Sequence, residues 1–103
     1  MIKIAAAFDK DNNCITESFL SARCFKVYDI ENGRVICSEI VGTMQGDLEQ
    51  TVGLLGLLDA DGVICGRMGN EEESLLDEEG IELYAGYYGD PDDALEFITG
   101  CGQ

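Results

Sequence analysis

Apolar residues in this chain fall into short runs separated by polar, glycine-rich breaks, and the runs change character between the two halves. Val63-Ile64-Cys65 is apolar without alternation, the pattern of a strand covered on both faces, and the run Ala5-Ala6-Ala7-Phe8 reads as part of a first strand, about Lys3 to Phe8. Between them lie Cys24-Phe25-Lys26-Val27-Tyr28-Asp29-Ile30 and Val35-Ile36-Cys37-Ser38-Glu39-Ile40-Val41, joined across Asn32-Gly33. Asn-Gly tolerates the positive φ of a type I′ turn, so these runs predict a hairpin. A two-residue loop sets Glu31 opposite Arg34, Tyr28 opposite Cys37, Lys26 opposite Glu39 and Cys24 opposite Val41. Cys14 to Ala22 carries Ile15, Phe19 and Leu20 as its only large apolar side chains and predicts no clear element.

The second half reads at helical spacing. Asp47 with Gln50 opens a helix whose apolar face is Leu48, Val52, Leu54, Leu55, Leu57 and Leu58. Gly53 and Gly56 weaken it, so it depends on packing. After the strand Gly62–Cys65 comes a turn, Gly66-Arg67-Met68-Gly69, and a second helix with Asn70 as cap, Glu73 as its capping-box partner and Gly80 at its end. Ile81 to Gly86 reads as a strand. Asp90-Pro91-Asp92-Asp93 starts a third helix, with a capping acid, proline at the first position and carboxylates in the first turn. The order strand, hairpin, helix–strand–helix–strand–helix predicts an α/β fold, with a mixed five-stranded sheet and three helices in a single domain, 1–103.

Ligands in open α/β sheets bind beyond the carboxyl ends of the strands. The strand–turn–helix at Gly62–Leu76 is therefore the first candidate site, and Gly66, Arg67, Met68, Gly69 and Asn70 are its residues. Backbone N–H groups at a helix start suit an anion. Arg67 adds a charge, and Glu71-Glu72-Glu73 oppose one.

Charge narrows the partners. The net charge is −15, and no basic residue follows Arg67. A binder of nucleic acid needs clustered Lys/Arg, and an anionic membrane selects for them too. The balance predicts no nucleic acid and no membrane, and leaves basic proteins or cationic ligands as partners. The first apolar run is too short for a signal sequence or a membrane span. The five cysteines (Cys14, Cys24, Cys37, Cys65 and Cys101) form no CxxC. They read as reduced thiols of a cytoplasmic protein. Cys24 and Cys37, four strand positions apart on the predicted hairpin, lie about 13 Å from each other, beyond the reach of one disulfide or one metal. Soft metals take thiolate or imidazole, and there is no histidine, so Cys14 and Cys65 are the metal-ligand candidates. Without histidine, no Cys–His or Ser–His nucleophile exists.

Several segments together resemble the dinitrogenase iron–molybdenum cofactor biosynthesis family, the NifX-like domains also found at the C-terminus of NifB. They are Ile4-Ala5-Ala6-Ala7, Ala22 to Asp29 followed by Asn32-Gly33, Val63 to Gly69, Gly80-Ile81 and the closing helix after Gly89-Asp90. The resemblance spans nearly the whole chain, and the glycine–methionine–glycine turn is its most specific part. It implies a ribonuclease H-like, three-layer α/β/α fold and a non-catalytic protein that carries an iron–sulfur or iron–molybdenum precursor cluster. Where the family has a His-Phe-Gly-Arg-Ala type segment, this chain has Ser18-Phe19-Leu20-Ser21-Ala22, so Ser18 holds the histidine position and joins the candidate ligand-binding residues. The family's His-rich loop is Gly42-Thr43-Met44-Gln45-Gly46 here. A ribonuclease H-like fold also raises two-metal nuclease chemistry through Asp9, Glu39 and Asp61. The lack of a basic surface argues against that. Two functions stand: a metallocluster carrier, and an interaction module that kept the fold and binds a basic protein.

Overall fold

The computed structural model describes residues 2–16, 19, 22–42, 48–67 and 69–99. They form β1 (Ile2–Asp9), β2 (Cys14–Ile15), β3 (Cys24–Glu31), β4 (Arg34–Gly42), α1 (Leu48–Leu57), β5 (Gly62–Ile64), α2 (Asn70–Glu78), β6 (Glu82–Tyr84) and α3 (Pro91–Thr99). The strands make one mixed six-stranded sheet in the order β4-β3-β1-β5-β6, with β2 paired to β1. β1 is antiparallel to β3 and parallel to β5, and β5 is parallel to β6.

The five strands expected become six because Cys14 and Ile15, which read as loop, pair with Asp9 and Phe8. β5 covers one edge of β1 only through Ala6, opposite Ile64, and β2 continues that edge beyond it. Two residues are too few to show a period in the sequence. The hairpin is real: Asn32 and Gly33 both take positive φ, and Glu31 pairs with Arg34. A bulge between Asp29 and Ile30 then shifts the remaining register by one. Cys37 faces Asp29 rather than Tyr28, Glu39 faces Val27 rather than Lys26, and Gly42 rather than Val41 faces Cys24. A bulge inserts one residue that no turn rule anticipates.

Odd and even positions of the central strands feed two separate cores, as side-chain alternation requires. Ala5, Ala7, Phe25, Val27, Val63 and Cys65 pack with Val52 and Leu55 of α1 and Leu76 of α2. Ile4, Ala6, Tyr28, Ile30 and Ile64 pack on the other face with Ala94 and Leu95 of α3. Alanine on both sides of β1 lets the layers close tightly on the middle strand. α3 is also pinned by polar contacts. Tyr28 Oη donates to Asp92 Oδ1 at 2.5 Å, Lys26 Nζ is 3.5 Å from the same oxygen, and Asp90 Oδ1 accepts from the Asp92 N–H at 2.8 Å as the helix cap. Asp47, the expected cap of α1, lies outside the described residues. Gly69 rather than Asn70 is the N-cap of α2, and Asn70 is its first helical residue. Among the described residues, no helix is long and apolar enough to cross a membrane.

β5 is buried throughout and paired on both sides. Its amides open only with the whole sheet, so Val63, Ile64 and Cys65 are expected among the slowest in native-state hydrogen exchange. Fast exchange there, with slow exchange in α1 and α2, contradicts this layout.

Candidate functional site

The carboxyl ends of β1, β5 and β6 point the same way, and two features meet there: the turn after β5 and a cleft beyond β1. Backbone bonds stitch the turn in place. Gly66 N–H donates to the Thr16 carbonyl at 3.3 Å, Gly66 O accepts from Gly86 N–H at 2.8 Å, and Arg67 O accepts from Phe19 N–H at 3.1 Å. Behind the turn, Cys65 N–H donates to Tyr84 O at 3.1 Å. Ser18 and Met68 lie outside the described residues.

Carboxylate already sits at the start of α2. A Cβ built on Gly69 would lie 2.5 Å from Glu72 Oε2, so the Glu72 side chain folds over the glycine. An anion approaching this helix start has to displace it. The contact is with the far end of a flexible side chain, and the φ of −80° is one any residue can adopt. Cys65 is fully buried, and its thiol is pushed up to about 12 by that burial and, secondarily, by the Glu72 charge. Cys14 stands opposite Asp9, whereas Cys65 follows Ile64, which stands opposite Ala6; the two thiols lie at different levels of the same edge. Among the described residues, no group of three or more Cys, Asp or Glu is placed to hold a metal. The three nuclease candidates are dispersed as well. Asp61 Oδ2 accepts from the Lys3 N–H at 2.8 Å, at the opposite end of β1 from Asp9.

The cleft, which the sequence reading passed over, is about 710 Å³ and is lined by residues from β1, β3, β4 and the segment after β2. This volume is in the usual range for ligand sites. Asp9 ends β1 and closes a polar turn: its carboxylate accepts from Asn12 Nδ2 at 2.7 Å and from the N–H groups of Asp11 and Asn12 at 3.0 and 3.4 Å. The Asn12 side-chain bond is the main reason its carboxyl sits below the usual range, partly offset by desolvation, with the Arg23 charge adding a small effect. Lys10 and Arg23, both exposed, supply positive charge to the lining. Cys24 is buried, its Sγ donates to Phe8 O at 3.3 Å, and burial raises its thiol. Thr16 joins cleft and turn. Its carbonyl holds Gly66, and its hydroxyl oxygen is buried with no hydrogen-bond partner among the described residues. The signal for this cleft was the polar turn Asp9–Asn13 directly after an apolar strand, with Arg23 and Cys24 opening the hairpin. The strand-end rule applied to β1 as well as to β5 would have found it.

The four described cysteines are free thiols. Alkylation of the native protein should modify exposed Cys37 ahead of Cys24 and Cys65, which stay protected, and should speed up at alkaline pH because the thiolate is the reacting form, whereas denaturation before any contact with air should expose five thiols. Fewer than five would mean a disulfide. Asp29 Oδ2 accepts from Cys37 Sγ at 2.9 Å and keeps that thiol protonated to higher pH than usual. Because the folded value for Cys65 exceeds the unfolded one, its burial adds stability that is complete below about pH 8.5 and drains away as pH climbs toward about 12.

The sequence profile of the dinitrogenase iron–molybdenum cofactor family matches residues 1–99. No curated protein matches the chain in sequence. Solved structures share its fold. The crystal structure of PH0822 superposes with a TM-score of 0.87 at 22% identity, over 96% of this chain and 91% of that one. A Thermotoga protein provisionally assigned as NifB gives 0.76 at 22% identity, over 98% and 90%. The apo form of the orange protein from Desulfovibrio gigas gives 0.77 at 18% identity, over 97% and 89%.

Proposed function

The chain belongs to the dinitrogenase iron–molybdenum cofactor family, and from that membership we propose that it is a non-catalytic carrier, holding an anionic iron–sulfur or iron–molybdenum precursor cluster as cargo. The observation that carries this reading is the cleft at the carboxyl end of β1, because it gathers Lys10 and Arg23 in a molecule whose net charge is −15. Asp9 and Asp11 share the lining, so what favours an anion there is direct contact with the two cationic side chains and not a net positive patch. Two cations at the mouth, with the Thr16 hydroxyl inside, give an anionic cluster charge-assisted contacts without any covalent step. Thiolate ligation is not required of Cys24 or Cys65, whose thiols burial keeps protonated.

In this proposal the turn forms the back wall of the site. Thr16 ties Gly66 to the cleft, and Arg67, Gly69 and Asn70, with Ser18 and Met68, complete the ligand-binding set. The proposal also takes the fold as ribonuclease H-like, in one domain spanning 1–103, and the protein as cytoplasmic. The second reading, a module that kept the fold and lost the cluster, draws on Asp9 and Asp11 in the cleft lining and on Glu72 over Gly69.

Anaerobic reconstitution with iron and sulfide, monitored by metal content and visible absorption, tests the carrier. Wild type should take up cluster, and Arg67→Ala should weaken uptake by about 1.5–3 kcal/mol, the worth of one charge-assisted contact, at nearly unchanged thermal stability. No uptake by wild type under any reductant overturns the carrier and leaves the interaction module. Equal uptake by both proteins keeps the carrier and confines the cargo to the cleft.

A further inference from the structure

β4 is the terminal strand of the sheet, and it is unusually open for its length. It runs nine residues, Arg34 to Gly42, and all but Val41 are exposed. Val35, Ile36 and Ile40 are large apolar side chains at 44%, 52% and 49% exposure. Natural sheets blunt such an edge with lysine, proline, a short strand or a covering loop, because its free backbone groups pair with any extended chain. β4 contains no lysine or proline, and its single basic residue, Arg34, sits at its first position. The bulge at Asp29/Ile30 bends only the hairpin end, so Lys26–Asp29 still pair in unbroken register with Cys37–Ile40 and the outer half of β4 stays regular.

We propose that the free edge of β4 is a docking site for an extended, basic segment of another protein, which adds to the sheet as a further strand. Charge selects that occupant. A second copy would bring −15 against −15, whereas a segment alternating apolar and basic residues matches both the apolar side chains of β4 and the field around them. The position gives the docking a purpose. Ile40 and Gly42 belong to β4 and also line the cleft, so a strand added here runs past the mouth of the site where cargo enters or leaves. That purpose rests on the carrier reading; the docking geometry does not.

The test titrates the isotope-labelled full chain with a synthetic peptide as long as β4, alternating lysine and valine. No cluster is present, so the outcome is independent of cargo uptake. A second peptide has the same sequence and charge, with alternate backbone amides N-methylated. The amides of β4 are expected to shift with the first peptide, and the second should bind at least about tenfold more weakly. Ile36→Lys, an exposed position outside the cleft, should weaken the first peptide while leaving the melting temperature in place. Three results overturn the proposal: equal binding of the two peptides, shifts centred on α2 instead of β4, or a dimer in sedimentation equilibrium that Ile36→Lys dissolves. The last would make a second copy the occupant.

Discussion

Phe25→Ala should destabilise the protein by about 3–5 kcal/mol, the usual loss for a fully buried phenylalanine. Phe25 has no exposed surface and sits on β3 between Ala7 of β1 and Val41 of β4. Its ring meets Phe19 at a centroid distance of 5.6 Å and a tilt of 55°, within the range of favourable aromatic pairs. Its neighbours on the sheet are a small alanine and a valine stiff at χ1, neither of which can swing in to refill the space between sheet and helices, so a cavity remains. Domains of this size have about 5–15 kcal/mol in total, so the variant stands near the limit of folding. Urea unfolding should show a lower midpoint with an unchanged slope. Phe25→Leu should recover most of the loss. A penalty for the alanine variant below about 1 kcal/mol would show that this face of the sheet is not closed as described.

The parts of the fold legible in the sequence were those with a local physical cause. Asn32-Gly33 demanded a type I′ turn, and Asp90-Pro91 demanded a helix start; both stand where expected. The unalternating run at Val63–Cys65 marked a strand inside the sheet, which β5 is, and the first apolar run marked a strand over Lys3 to Phe8, which β1 contains. What escaped depended on partners distant in sequence. β2 lies along the part of one β1 edge that β5 leaves uncovered, and the bulge puts one extra β4 residue between the pairs Ile30–Val35 and Asp29–Cys37, beyond the reach of the turn residues. Asn70 is the first helical residue and Gly69 the cap, a one-residue shift that leaves the helix start without a side-chain cap hydrogen bond. The site divides in the same way. The turn at Gly66 was legible from its glycines. The cleft was not, because Lys10, Thr16, Arg23 and Ile40 come from four segments that only the sheet brings together.

Arg23→Glu is the sharper probe of the cleft, and together with Lys10→Glu it should lower cluster uptake more than a hundredfold. Each cation is worth about 1.5–3 kcal/mol as one charge-assisted contact, so losing two removes at least about 3 kcal/mol before any repulsion is counted. The control is Arg34→Glu. Either single reversal takes the net charge from −15 to −17, since a positive charge is replaced by a negative one. Arg34 lies at the hairpin turn, outside the cleft lining, and exposed. If the field of the whole molecule decided uptake, both single variants would lose equally. If local contacts decide it, Arg23→Glu loses most of its affinity and Arg34→Glu little. Salt separates the two causes again, because fields beyond about 8 Å are screened at physiological ionic strength whereas direct contacts persist longer. Both side chains are exposed, so the melting temperatures should stay close to wild type, and a loss of uptake cannot be blamed on unfolding. Equal uptake by Arg23→Glu and Arg34→Glu would remove the cleft from the site and return the cargo to the turn around Arg67.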